Sequence, residues 1–139
     1  MTGADETACL SPIALGALAF AGLAGLAAVA LGAYAAHGAA AELREGLAAA
    51  ASYGLMHAVA MIGVALVHDR AASSLVARWL LLFSLLAFGL GIVLFSGGLF
   101  LSAMGWNPGT APHGGILLMV GWAALALGAA TLLVAGRSP

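Results

Sequence analysis

Gly105-Trp106-Asn107-Pro108-Gly109-Thr110-Ala111-Pro112 interrupts a run, Trp79 to Gly136, that contains no Asp, Glu, Lys or Arg. As a single helix that run would be about 87 Å long at 1.5 Å per residue, against a hydrocarbon core of about 30 Å. It must therefore cross a bilayer twice and turn between the crossings. The octapeptide supplies the turn, with proline and glycine in turn-forming places. Two spans follow, at about 79–102 and 113–135.

The same reading extends upstream. No formal charge occurs from Thr7 to Ala41, and Ser11-Pro12 offers a hydroxyl cap with proline at the first helical position. The first span is predicted at about 12–35. Ala33-Tyr34-Ala35 superficially resembles a signal-peptide cleavage site, but the leading segment is acidic (Asp5, Glu6) and the apolar run is too long. Gly38 is expected to end this helix in a left-handed conformation. Ala39–Ala51, with Glu42, Arg44 and Glu45 among alanines, reads as an interfacial helical shoulder. The second span is predicted at about 47–67, closed by His68-Asp69-Arg70, with His68 solvated. Residues 71–78 then form a short loop, and Arg78-Trp79 anchors the third helix at the interface. The expectation is an all-α integral membrane four-helix bundle. It forms a single transmembrane domain over 1–139, with a short N-terminal tail at 1–10.

Composition agrees. The chain is 64% apolar and 6% charged, whereas soluble domains carry about 25% charged residues. Most of its surface must therefore face lipid. Net charge is −1 and the four arginines are scattered, so there is no basic patch for nucleic acid. The single cysteine, Cys9, excludes an intrachain disulfide. Four spans put Arg70, Arg78 and Arg137 on one side and Arg44 on the other. By the positive-inside rule both termini are expected in the cytoplasm of a bacterial-type inner (plasma) membrane.

Inside lipid, helices associate through close packing and interhelical hydrogen bonds. Small residues are available in rows: Gly25, Ala28, Gly32 and Ala36 in the first span, and Gly89, Gly97 and Gly98 in the third. Gly114, Gly121 and Gly128 recur every seven residues in the fourth. Short echoes (Leu18-Ala19-Phe20 with Leu86-Ala87-Phe88, Met61-Ile62-Gly63 with Met119-Val120-Gly121) raise the possibility of two parallel hairpin halves.

Polar groups gather toward one face. Tyr34 and His37 close the first span. Ser52, Tyr53 and His57 fall in the outer half of the second, with Tyr53 and His57 four apart and so on one helix face. Ser96 and Ser102 lie late in the third, and Asn107, Thr110 and His113 at the turn and the start of the fourth. His57 lies about 10–15 Å below its helix end. There an unpaired imidazole is costly, so it needs a partner. Tyr53, Tyr34, His37 and His113 are the expected company. One reading is structural, with these groups bonding each other and locking the bundle. A second is ligation of haem, copper, zinc or a pigment by His37 and His57, with His113 as a further candidate ligand. A third is passage of protons or small solutes along the polar face. The ligation reading lacks Cys, Met or carboxylate at recognisable spacing, so no cofactor is expected. There is no nucleophile elbow, no HExxH and no phosphate loop, and the chain is not expected to be an enzyme.

Four motifs in order carry a resemblance. They are Gly32-Ala33-Tyr34-Ala35-Ala36-His37-Gly38, Tyr53-Gly54-Leu55-Met56-His57-Ala58, Leu94-Phe95-Ser96-Gly97-Gly98-Leu99-Phe100, and Pro112-His113-Gly114-Gly115 followed by Gly121-Trp122. Together, over about residues 13–135, the chain resembles the small membrane proteins of domain of unknown function 423, a family related to eukaryotic transmembrane protein 256. The resemblance implies a four-helix inner-membrane protein with no established reaction. It matches the family's histidines at His37 and His57 and its serine-glycine at Ser96-Gly97. His113 stands where the family pattern is apolar, and Met56 where it is commonly aromatic. The expected role is that of an accessory or scaffold subunit of a larger membrane assembly, or a self-oligomer. Its partners would be the lipid bilayer and other membrane subunits, or further copies of itself. The rival is a transporter or cofactor-binding protein built on His37 and His57.

Overall fold

The structure, a computed structural model, describes residues 10–71 and 74–136. It contains four helices: α1 (Pro12–His37), α2 (Ala41–Arg70), α3 (Leu75–Ala103) and α4 (Ala111–Ala135). Each is long and apolar enough to cross a membrane. The architecture is the all-α four-helix one expected. The tail expected at 1–10 falls, apart from Leu10, outside the described residues, as do Cys9 and Arg137.

The helix ends have local causes. The Ser11 hydroxyl accepts from Ala14 N at 3.2 Å, with Pro12 in the first turn. Ser74 caps α3 in the same way, accepting from Ala77 N at 3.2 Å. The α3–α4 turn needs left-handed backbone at Gly105 (φ +87°) and Gly109 (φ +64°), where a side chain would be strained. Asn107 Oδ1 accepts from Gly109 N at 3.2 Å and so stiffens that turn.

Several boundaries differ from the sequence expectation. The helical shoulder expected at 39–51 does run directly into the second span. From Ala41 it is the opening of α2, because its alanines are strong helix formers and Glu42 suits a helix N-terminus. α3 starts at Leu75 because Ser74 supplies a cap ahead of Arg78. Gly38 is right-handed (φ −117°, ψ −22°), so its backbone needs no left-handed freedom. Its missing side chain is used differently: a Cβ there would lie 2.8 Å from Tyr34 Cδ2. His68 is not solvated but buried, only 3% exposed. The reason lies next to it, where the Asp69 carboxylate accepts the Ser11 N–H (3.0 Å to Oδ2) and holds the last turn of α2 against the start of α1.

Packing follows a seven-residue period, the spacing of shallow-angle, left-handed helix pairs. On α4, Gly114, Gly121 and Gly128 are buried. They face Phe95, Phe88 and Leu81 of the antiparallel α3, which recur at the same interval. A Cβ at Gly121 would fall 2.5 Å from Phe88 Cδ1, and one at Gly114 would meet the backbone of Leu94 and Phe95. The α1–α2 seam repeats the device with alanine: Ala14, Ala21, Ala28 and Ala35 are the buried residues of α1. On α2, Leu47, Gly54, Met61 and His68 are buried at the same spacing. Ala28 Cβ lies 3.5 Å from the position a Gly54 Cβ would take, which sets the register.

α2 and α3 occupy the middle of the array. α1 packs along α2 and α4 along α3, while α1 touches α3 sparsely. The Phe20 ring closes on α3 at Gly89, 3.7 Å from where a Cβ would stand. Beyond Phe20, toward His37, α1 and α3 diverge and leave a groove.

Candidate functional site

His57 projects from the buried face of α2, alongside Gly54, Ala58 and Met61, and is 2% exposed. A polar ring at that depth must be paired. Its Nδ1 lies 2.8 Å from Tyr53 O, one turn back on the same helix. Its Nε2 accepts the indole N–H of Trp122, on α4, at 3.0 Å. An indole N–H only donates. Nε2 therefore carries no proton, Nδ1 carries it, and the ring is the neutral Nδ1–H tautomer. Both nitrogens are engaged.

Aromatic rings wrap this pair. Tyr53 stacks on His57 with 6.1 Å between centroids and 12° between planes. Phe88 meets the edge of His57 at 5.3 Å and the edge of Trp122 at 5.3 Å. Phe95 touches Tyr53 at 4.9 Å. α2, α3 and α4 thus converge on one node, and Gly121 is what lets Phe88 sit there. Close by, the buried Ser84 hydroxyl donates to Gly121 O at 2.9 Å and pins α3 to α4 directly.

The other candidate residues lie elsewhere. Tyr34, His37 and His113 are exposed. Among the described residues no hydrogen bond or ring contact joins them to His57. Tyr53 reaches His57 through its carbonyl and ring face, with its own side chain 45% exposed. Ser102 donates to Gly98 O at 2.9 Å, and Thr110 to Leu94 O at 3.0 Å, at the α3–α4 joint. Gly98 is bare because a Cβ there would lie 2.5 Å from Thr110 Oγ1. Of the glycines expected to pack, Gly114, Gly121 and Gly128 meet α3 closely, and Gly32 lies against Ala51. Gly25 makes one ordinary contact with Leu55, while Gly97 faces open space. Among the described residues no three His, Cys, Asp or Glu side chains stand close enough to share a metal ion. Ligation by His57 would require Nε2 to release Trp122.

Trp122, Phe88, Phe95 and Ser84 are the members of the node that the sequence did not mark as company for His57. Trp122 carried a usable signal. It sits at the middle of a span, away from the interfaces where tryptophan usually gathers, with an N–H that must find an acceptor.

Four helices able to cross a bilayer, tied internally by interhelical hydrogen bonds and glycine seams, define a multi-pass helical membrane protein. The chain belongs to the family described as protein of unknown function (DUF423), whose model matches residues 31–115. The match runs from the end of α1 through α2 and α3 to the first turn of α4, and so includes His37, His57 and Ser96 but not Trp122. No curated protein and no solved structure matches the chain.

Proposed function

We propose that this protein works by association, as an accessory or scaffold subunit of a larger membrane assembly or as a self-oligomer, and not as an enzyme. One observation carries the reading. α1 and α4 each pack along a single neighbour and turn long apolar faces outward, including Leu23, Leu26 and Val29 on α1 and Ile116, Met119 and Leu127 on α4. Helices at the edge of such an array can accept another helix at low cost, because small residues and exposed ridges allow close approach in lipid. The placement of Arg70, Arg78 and Arg137 against Arg44 supports cytoplasmic termini in a bacterial-type inner membrane. The His57 node supports a structural use of the histidine, since both ring nitrogens already have protein partners.

The test is native mass spectrometry of the complex extracted in mild detergent. A stoichiometric partner, or a defined oligomer of this chain, is the expected result. A lone monomer at every detergent and yield would remove the association reading. Stoichiometric haem, copper or zinc lost on His57→Ala would replace it with ligation.

A further inference from the structure

Between α1 and α3, over the surface of α2, lies a groove of 540 Å³. That is within the range of about 300–1,000 Å³ typical of small-molecule sites. Its α1 wall runs from Ala24 to Tyr34, ten helical steps or about 15 Å. This is half the thickness of a hydrocarbon core of about 30 Å, the depth of one leaflet. The groove follows the axes of α1 and α3. Phe20 against Gly89, the middle residue of α3, shuts its inner end. Tyr34 and Phe100, near the ends of α1 and α3, flank its mouth.

The walls are mostly apolar. Below Tyr34 at the mouth, Ser96 is the one polar side chain. It lines the groove, is nine-tenths buried, and its Oγ has no hydrogen-bond partner among the described residues. The hydroxyl rests beside Gly54, 3.2 Å from where a Cβ would stand. An unpaired hydroxyl at such a place costs free energy that an acceptor from the lipid phase would recover. Ser96 lies seven residues before the end of α3 at Ala103, about 10 Å along the axis. α3 has 29 residues and so a length of about 44 Å, overhanging a core of about 30 Å by about 7 Å at each end. Ser96 then sits only a few ångströms inside the hydrocarbon boundary, within reach of lipid ester carbonyls.

Length and polarity select the occupant. A slot about one leaflet deep, apolar along its walls and with one hydroxyl close to the hydrocarbon boundary, matches an acyl chain that ends in an ester acceptor. We infer that the α1–α3 groove is a binding site for one acyl chain of a membrane glycerolipid, with its ester carbonyl accepting a hydrogen bond from Ser96. The hydroxyl turns from Gly54 toward the groove when the carbonyl arrives, and the chain fills the apolar slot down to Phe20.

The experiment uses the full chain purified in mild detergent. It is then reconstituted with phosphatidylethanolamine carrying a photoactivatable diazirine in one acyl chain. Native mass spectrometry is expected to show one glycerolipid retained per chain. Photolabelling is expected to concentrate on groove residues such as Ala24, Leu31 and Gly97 over the exposed Leu23 and Leu127. Gly97→Leu, whose side chain would enter open groove space, should lower retention at least about tenfold, as expected when a bulky group takes the ligand's place. Ser96→Ala should lower it about fivefold, the worth of one hydrogen bond in lipid. Gly63→Leu, on an exposed face of α2 with nothing near its Cβ, should change neither readout. Uniform labelling of all lipid-facing residues would overturn the site, as would retention indifferent to Gly97→Leu. A retained mass that is not a glycerolipid, or crosslinking of the groove to a second copy of the chain, would overturn the choice of occupant.

Discussion

Trp122 Nε1 donates to His57 Nε2 across 3.0 Å, which joins α4 to α2 past the intervening Phe88. α2 and α4 have no broad packed interface, so this one bond is a main tie between them. Trp122→Phe keeps the ring but orphans a buried imidazole nitrogen. It should cost about 1–2 kcal/mol of stability, between the mean for hydrogen bonds in lipid and the full price of an unsatisfied buried group. Unfolding in mixed micelles measures it. In a double-mutant cycle with His57→Ala the two losses should fall well short of adding. Full additivity would mean the pair is not energetically coupled.

The glycine seam of α4 makes a graded prediction. Gly121→Ala drives a Cβ into the Phe88 ring, and Gly114→Ala drives one into backbone that cannot rotate aside. Overpacking of this kind costs about 1–3 kcal/mol. Gly114 should be the more damaging site, because a ring can tilt and a backbone cannot. Gly97→Ala enters open space and should be near neutral. Thermal denaturation of the three variants gives the order.

Ser84→Ala removes the hydroxyl that donates to Gly121 O at 2.9 Å. That carbonyl can still accept from the backbone within α4, so no group is left bare. The loss should be about 0.5–1 kcal/mol, smaller than for Trp122→Phe. An equal or larger loss would show that the α3–α4 seam depends on this bond more than on its glycines.

His37→Ala and His113→Ala alter exposed side chains that do not touch the His57 node. Each should change stability by less than about 0.5 kcal/mol, as surface substitutions usually do. If either destabilised the protein as much as His57→Ala, the three histidines would have to act together.

Removing the Asp69 carboxylate frees the Ser11 N–H, which it accepts at 3.0 Å. Asp69→Ala should raise hydrogen exchange at the first amides of α1 and leave the α3–α4 hairpin unchanged. Slow exchange that persists there would mean the Ser11 hydroxyl cap suffices by itself.

Much of the fold was legible along the chain. Trp79 to Gly136 had to turn at Gly105–Pro112, and Ser11-Pro12 had to start a helix, because hydropathy and capping are local properties. The stripe of Gly114, Gly121 and Gly128 was readable for the same reason, since a period within one helix needs no knowledge of its neighbour. Ala14, Ala21, Ala28 and Ala35 had the same period but were hidden among many other alanines. Gly38 was misjudged because its lack of a side chain serves the Tyr34 ring and not a left-handed turn.

The candidate site was legible only in part. The sequence by itself determined four membrane-length helices, a seven-residue packing stripe and a buried His57 in need of a partner. Only the tertiary structure decided that the partner is Trp122, 65 residues away, and that His37 and His113 stay apart. It also decided that α1 leans on α3 at Phe20 and opens a groove beyond it. The physical reason is that hydropathy sums along one chain segment. The partner of a buried nitrogen and the gap between two helices depend instead on how separate helices are rotated and tilted against each other.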